Sequence, residues 1–267
     1  MVYLGMTKLE YTFKTDTLFK MLFVKYPELL KRLVSALLGI PLESIGTFQI
    51  LNPEIPPETL GDKFCRLDIN MTVDGLRVDL EIQVTDEGDY PERSLYYWAR
   101  EYSASLEEGK KYSTLPRVVI ISIVGYNLFD CAEFHSEFQA LEVTRRTSLT
   151  DKMSLHYFEL PKLPERISAD GELGLWLSLF KAETEEDLKK IEILEVPIMK
   201  QAINAYRSIT ATDEFKEIER LRSLARHNEA SALDHARRQE RAKWQAVVAQ
   251  KDAEIERLRA ELVSGNA

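Results

Sequence analysis

The chain has 267 residues, 45% of them hydrophobic and 30% charged, with 35 basic against 44 acidic side chains and a net charge of −9. This excludes a disordered chain, allows a sizeable core, and argues against a protein that holds nucleic acid through its overall field, so any such contact must come from local basic patches. Cys65 and Cys131 lie in no Cys/His cluster, which argues against zinc, and Met1–Glu10 lacks a signal-peptide core, so the chain reads as a cytoplasmic protein with reduced thiols. No run of roughly 18 apolar residues is present to span a membrane.

The first predicted element starts at Thr15, a helix-capping residue, with Asp16 in the first turn. Leu18, Phe19, Leu22, Phe23, Leu29, Leu30, Leu33, Val34, Leu37 and Leu38 recur at helical spacing. Pro27 divides the stretch into two helices, and Gly39 ends the second. Residues 51–63, rich in Pro, Glu and Gly, read as a loop. From Phe64 to Val84 the pattern changes to period two on both sides of Asp74-Gly75, a strong hairpin signal.

A helix is expected over 92–108, closed by Gly109, followed by a strand buried on both faces at Val118–Val124 and a shorter strand at Leu155–Leu160. Helical patterns follow at 172–182, 185–208 and 213–262. The last has no Gly or Pro and balanced charge. In it Trp244, Val248, Ile255, Leu258 and Leu262 keep a 4-3 spacing around Lys251, a coiled-coil pattern about three heptads long. The order of elements predicts an α/β fold, a mixed sheet flanked by helices, over 1–212, with a helical coiled-coil tail over 213–267.

Chemistry concentrates in the hairpin. If Asp74-Gly75 is a two-residue turn, Val73 opposes Leu76, Asn70 opposes Asp79, Asp68 opposes Glu81 and Arg66 opposes Gln83, all the polar side chains falling on one face. Opposed residues have Cβ atoms about 4.5–5.5 Å apart, where two like charges destabilise a sheet. A divalent cation removes that penalty, since Mg²⁺ takes hard oxygen ligands. A solvated polar face would give the same alternation, and the pattern alone leaves both readings open.

The segments Leu67-Asp68-Ile69 and Leu80-Glu81-Ile82-Gln83 resemble the D…ExQ form of the PD-(D/E)XK nuclease core. Asp16-Thr17-Leu18-Phe19-Lys20, Arg93 with Tyr96-Tyr97, Gly109-Lys110-Lys111-Tyr112, the strand from Val118 and Phe158-Glu159-Leu160-Pro161-Lys162 extend the likeness over 10–230. In this order they are similar to the Rpn-type recombination-promoting nuclease and transposase family. The resemblance implies a restriction-endonuclease-like fold and a Mg²⁺- or Mn²⁺-dependent DNA endonuclease. It implies Asp68, Glu81 and the Ile82 carbonyl as metal ligands, and Gln83 where many such enzymes carry Lys. Gln can orient a water but supplies no positive charge. Asp16 matches an acidic position that completes the site in related nucleases.

Arg93, Tyr97 and Arg100 share one face of the expected helix, where they can meet phosphate or belong to an ordinary amphipathic surface. Lys110, Lys111 and Tyr112 combine basic and aromatic groups suited to a nucleic-acid backbone. Lys14, Lys20, Lys25, Lys31 and Arg32 make the N-terminal helices locally basic. His135 and His156 lack metal-ligand spacing and read as structural, and Trp98 and Trp176 as core. No nucleophile elbow or phosphate-binding Gly-rich loop is present. The expected function is therefore a cytoplasmic endonuclease on double-stranded DNA, linked to recombination or mobile elements and assembled as a homo-oligomer through its C-terminal helix. The alternatives are a non-catalytic DNA-binding or interaction protein retaining the nuclease fold, and a nuclease directed at RNA.

Overall fold

A computed structural model describes residues 7–51, 69–106, 108–165 and 171–264. The described residues up to Lys216 form one compact unit and those from Glu217 another. The first helices are α1 (Asp16–Lys25) and α2 (Pro27–Leu38). Pro27 opens α2, where its missing N–H costs nothing, and Gly39 closes it at φ 64°, a left-handed conformation that glycine adopts without strain. Thr15 stands at the expected cap of α1, but its Oγ1 accepts from the Thr12 backbone rather than from the helix.

Six strands form one sheet in the order β1-β2-β3-β4-β6-β5. They are β1 (Phe48–Ile50), β2 (Ile69–Val73), β3 (Leu76–Gln83), β4 (Val118–Val124), β5 (His135–Phe138) and β6 (Met153–Glu159). β4 runs parallel to both β3 and β6, and the other pairs are antiparallel. The β2–β3 hairpin has the predicted register, with Val73 opposite Leu76 and Asn70 opposite Asp79. Asp74 and Gly75 both have positive φ, as a tight hairpin turn demands. The strain at Asp74 is offset by its carboxylate, which accepts from the Thr47 N–H at 2.6 Å and the Gly46 N–H at 3.3 Å.

The sheet is buried on both faces. Leu80, Val119, Ile121, Ile123 and Phe158 point into the larger core, shared with Leu18, Phe19, Leu22 and Phe23 of α1 and with α2. The same core takes in α4 (Glu172–Lys181), α5 (Glu185–Glu192) and α6 (Pro197–Thr210). The alternate residues Val118, Ile120, Val124, Leu155 and Tyr157 face a smaller core covered by α3 (Tyr90–Ala104). Trp176 is core as expected, while Trp98 is half-buried and stacks on Tyr102.

Several predicted boundaries move. The helix expected from 92 starts at Tyr90, because Pro91 sits in its first turn, and it ends at Ala104 rather than near Gly109. The pattern at 185–208 is two helices, since Pro197 starts a new one and Glu195 turns the chain at φ 56°. Strands β1 and β5 were not expected. Lys20 is buried, so it is no part of a basic surface, and Lys14 and Arg32 are paired with Glu183 and Glu172.

Helix α7 (Asp213–Ser264) supplies the second unit from Glu217 onward. Pairs one turn apart such as Arg220–Glu217, Arg238–Asp234 and Lys251–Glu254 support it along its length. Trp244, Val248 and Ile255 of the heptad pattern are exposed in the single chain. Among the described residues no helix is long and apolar enough to cross a membrane.

Candidate active site

The polar face of the hairpin is buried at Asp79 and Glu81, while Asn70, Thr72, Arg77 and Gln83 stay partly exposed. Glu81 is 3% exposed and Asp79 5%, because α3 crosses over them on its way from β3 to β4. Register aligns Glu81 with Ser122 on β4 and Ser122 with Tyr157 on β6, so three polar residues stand side by side on the α3 face. Tyr90 and Ser94, one helical turn apart on α3, reach down to this row. Tyr90 Oη donates to Glu81 Oε2 at 3.0 Å and lies 2.9 Å from Ser122 Oγ. Ser94 Oγ and Tyr157 Oη share a hydrogen bond at 2.5 Å. Burial pushes the Tyr157 hydroxyl up from the ordinary phenol range, so it stays protonated.

Glu81 Oε1 is shielded from solvent and, among the described residues, has no hydrogen-bond partner. An unmatched oxygen on a buried carboxylate is costly. Another buried carboxylate on the same sheet face shows how this fold satisfies such a group. Glu159 Oε1 accepts from the backbone N–H groups of Leu128 at 2.5 Å and Phe129 at 3.1 Å, while its Oε2 takes Lys162 Nζ at 2.7 Å. That arrangement fixes the loop after β4 and accounts for the Glu159–Lys162 motif. Glu81 has a single neutral donor. A hard-oxygen ligand atom held in place and left open is the donor chemistry that Mg²⁺ or Mn²⁺ takes, so the residues present fit a divalent cation.

The other predicted site residues are placed as follows. Asp68 and Arg66 lie outside the described residues; the nearest described pair is Ile69 opposite Leu80. Gln83 ends β3 on the Glu81 side of the strand, and its Nε2 donates to the Thr85 carbonyl at 2.6 Å. The Ile82 side chain packs against the larger core, which leaves only its backbone for a role near Glu81. Asp16 is exposed at the start of α1, in the helical layer on the other face of the sheet from Tyr90.

The Arg93 guanidinium lies 4.8 Å from the Tyr90 ring centre and is bonded to Glu87. Tyr97 is partly buried against the smaller core. Lys110 and Lys111 are exposed just before a single 3₁₀ turn, Tyr112–Thr114, whose Tyr112 is 79% exposed. The structure thus joins Arg93 to Glu81 through Tyr90. Tyr90 and Ser122 were missed by sequence reasoning. The one visible signal was Ser122, the sole polar residue in the run Val118–Val124.

A second polar cluster occupies the opposite face near the sheet edge. His135 Nε2 and His156 Nδ1 are 3.1 Å apart, and His156 Nε2 is 2.9 Å from Ser154 Oγ. Ser154 Oγ donates to Glu137 at 2.8 Å. The serine proton is thereby committed to the carboxylate, so His156 Nε2–H donates to Ser154 and His156 Nδ1 accepts from His135. Burial pushes His156 down to about 4, so both rings are neutral links in a directed chain. Among the described residues no three His, Cys, Asp or Glu side chains converge as a metal cage.

A family model described as PD-(D/E)XK nuclease family transposase matches residues 13–236 of the chain. No curated protein and no solved structure matches it.

Proposed function

The chain belongs to the PD-(D/E)XK nuclease family transposases, and from that premise we propose that it is a cytoplasmic, metal-dependent endonuclease hydrolysing phosphodiester bonds of double-stranded DNA in recombination or mobile-element movement. The observation that carries this reading is the buried, unmatched Oε1 of Glu81. Glu81, Asp68 and the Ile82 carbonyl would hold Mg²⁺ or Mn²⁺. When bound, the ion supplies Lewis acidity to the phosphoryl group. Gln83 orients the attacking water by neutral hydrogen bonding, after releasing the Thr85 carbonyl, and Asp16, on the other face of the sheet, stays outside the Glu81 set. Arg93, Tyr97, Lys110 and Lys111 take the DNA backbone, the two lysines by charge and Arg93 from its place over Tyr90. Two copies pair through the Trp244, Val248 and Ile255 face of α7 as a coiled coil, which suits an enzyme that cuts two strands.

Plasmid cleavage with Mg²⁺, with and without EDTA, tests the reading. Wild type cuts, EDTA stops it, and Asp68→Ala and Glu81→Ala each abolish cutting. Cutting that survives in both variants removes the assignment. One observation favours a non-catalytic protein on the same fold: Gln83 is neutral and already bonded to Thr85. No cleavage with any divalent ion, combined with intact DNA binding, would select that alternative.

A further inference from the structure

The Glu81 carboxylate is held in one orientation by a neighbour whose chemistry suits a metal ligand. We infer that Tyr90 is a positioning residue for that ligand: its phenol, backed by Ser122, pins Oε2 and presents Oε1 to the cation. The inference rests on the reading of Glu81 as a metal ligand.

The terminal torsion of a Glu side chain is soft and roughly two-fold, so a buried carboxylate needs an outside group to decide which oxygen points where. Tyr90 Oη supplies it, 3.0 Å from Oε2. The phenol is itself fixed on three sides. Its ring meets Tyr157 edge-on with centres 6.3 Å apart, the Arg93 guanidinium covers it at 4.8 Å, and Ser122 Oγ stands 2.9 Å from its oxygen. Tyr157 is tied in turn to Ser94, so α3 cannot slide over the sheet without breaking two hydroxyl contacts.

The choice of donor matters as much as the geometry. Lys162 beside Glu159 cancels that carboxylate's charge. A cation in the same position beside Glu81 would compete with the metal. A phenol orients the carboxyl group without adding a competing positive charge, which is the task of an outer partner to a ligand.

A purely structural contact between Tyr90 and Glu81 makes a different prediction: loss of the hydroxyl would lower the melting temperature and leave metal affinity unchanged. The test is calorimetric titration of the full chain with Mn²⁺ in the absence of DNA, with circular dichroism to verify folding. Tyr90→Phe keeps the ring and is expected to weaken Mn²⁺ binding roughly 10–100-fold. Ser122→Ala is expected to weaken it by a smaller factor, and Glu81→Gln to abolish it. Wild-type affinity in Tyr90→Phe, with binding lost in Glu81→Gln, overturns the role of Tyr90 while sparing the site. Wild-type affinity in Glu81→Gln overturns the metal-ligand reading itself. If Tyr90→Phe does not fold, Ser122→Ala decides, and unchanged affinity there overturns the positioning role.

Discussion

Replacing Glu81 by Met should make the metal-free protein more stable. Among the described residues this buried carboxylate receives one hydrogen bond for two oxygens, and Oε1 has no partner. Leaving such an acceptor unmatched costs about 1–3 kcal/mol, more when it carries charge. Met has similar length, fills the same space under α3 and asks for no partner, while Tyr90 Oη keeps Ser122 Oγ at 2.9 Å. The expected gain is about 1–3 kcal/mol, at roughly 2–4 °C of melting temperature per kcal/mol in a domain of this size. The assay is thermal unfolding followed by circular dichroism in EDTA, repeated with saturating Mn²⁺. At a metal concentration about 100-fold above Kd the wild type should gain about 2.7 kcal/mol and the variant nothing. A variant that melts below wild type in EDTA would refute the reasoning, because it would mean the carboxylate is satisfied in the metal-free fold.

Two further outcomes follow from other parts of the molecule. His156 has its pKa lowered from 6.5 to about 4, chiefly by burial, with Glu137 opposing and His135 and Arg117 adding to the shift. The unfolded state therefore binds the extra proton first: the contribution is complete above 6.5 and is lost as pH falls towards 4. The wild type should lose on the order of 2 kcal/mol more than His156→Leu across that window, measured by denaturant unfolding at both ends; parallel losses would reject it. Removing the tail should lower the oligomeric state in light scattering. The cut belongs after Lys216, because Phe215 is fully buried and meets Tyr11 edge-on at 4.8 Å; an unchanged mass would reject pairing through α7.

What the sequence disclosed about the fold was whatever local chemistry enforces. Asp74-Gly75 admits few turns other than the tight hairpin, and once the turn is set the pairing of Asn70 with Asp79 follows by counting. Val118–Val124 was legible as a strand buried on both faces because its run of apolar residues is nearly continuous. Strands β1 and β5 escaped because they are short, lie at the two edges of the sheet and alternate weakly, with Glu137 and Phe138 of β5 both exposed. Their identity comes from partners distant in the chain. Pro91 and Pro197 were both visible, yet each opens a helix from its first turn, a role that depends on the residues before it.

The site divides along the same line. Which strand face carries Glu81 and Asp79 is a matter of parity and was legible. That these two residues are buried is not, because a hairpin with one polar face is ordinarily wet, and here burial comes from a helix that must first cross from β3 to β4. The crossing also brings Tyr90 to Glu81 and Ser122, nine and 32 residues away along the chain. No spacing rule links those three residues; only the parallel pairing of Glu81 with Ser122 does. The same face holds Glu159, equally buried but fully matched by two backbone donors and a lysine. The fold gives Glu159 a lysine and two backbone donors but gives Glu81 one phenol, a contrast that supports the proposed role of Glu81 as a ligand.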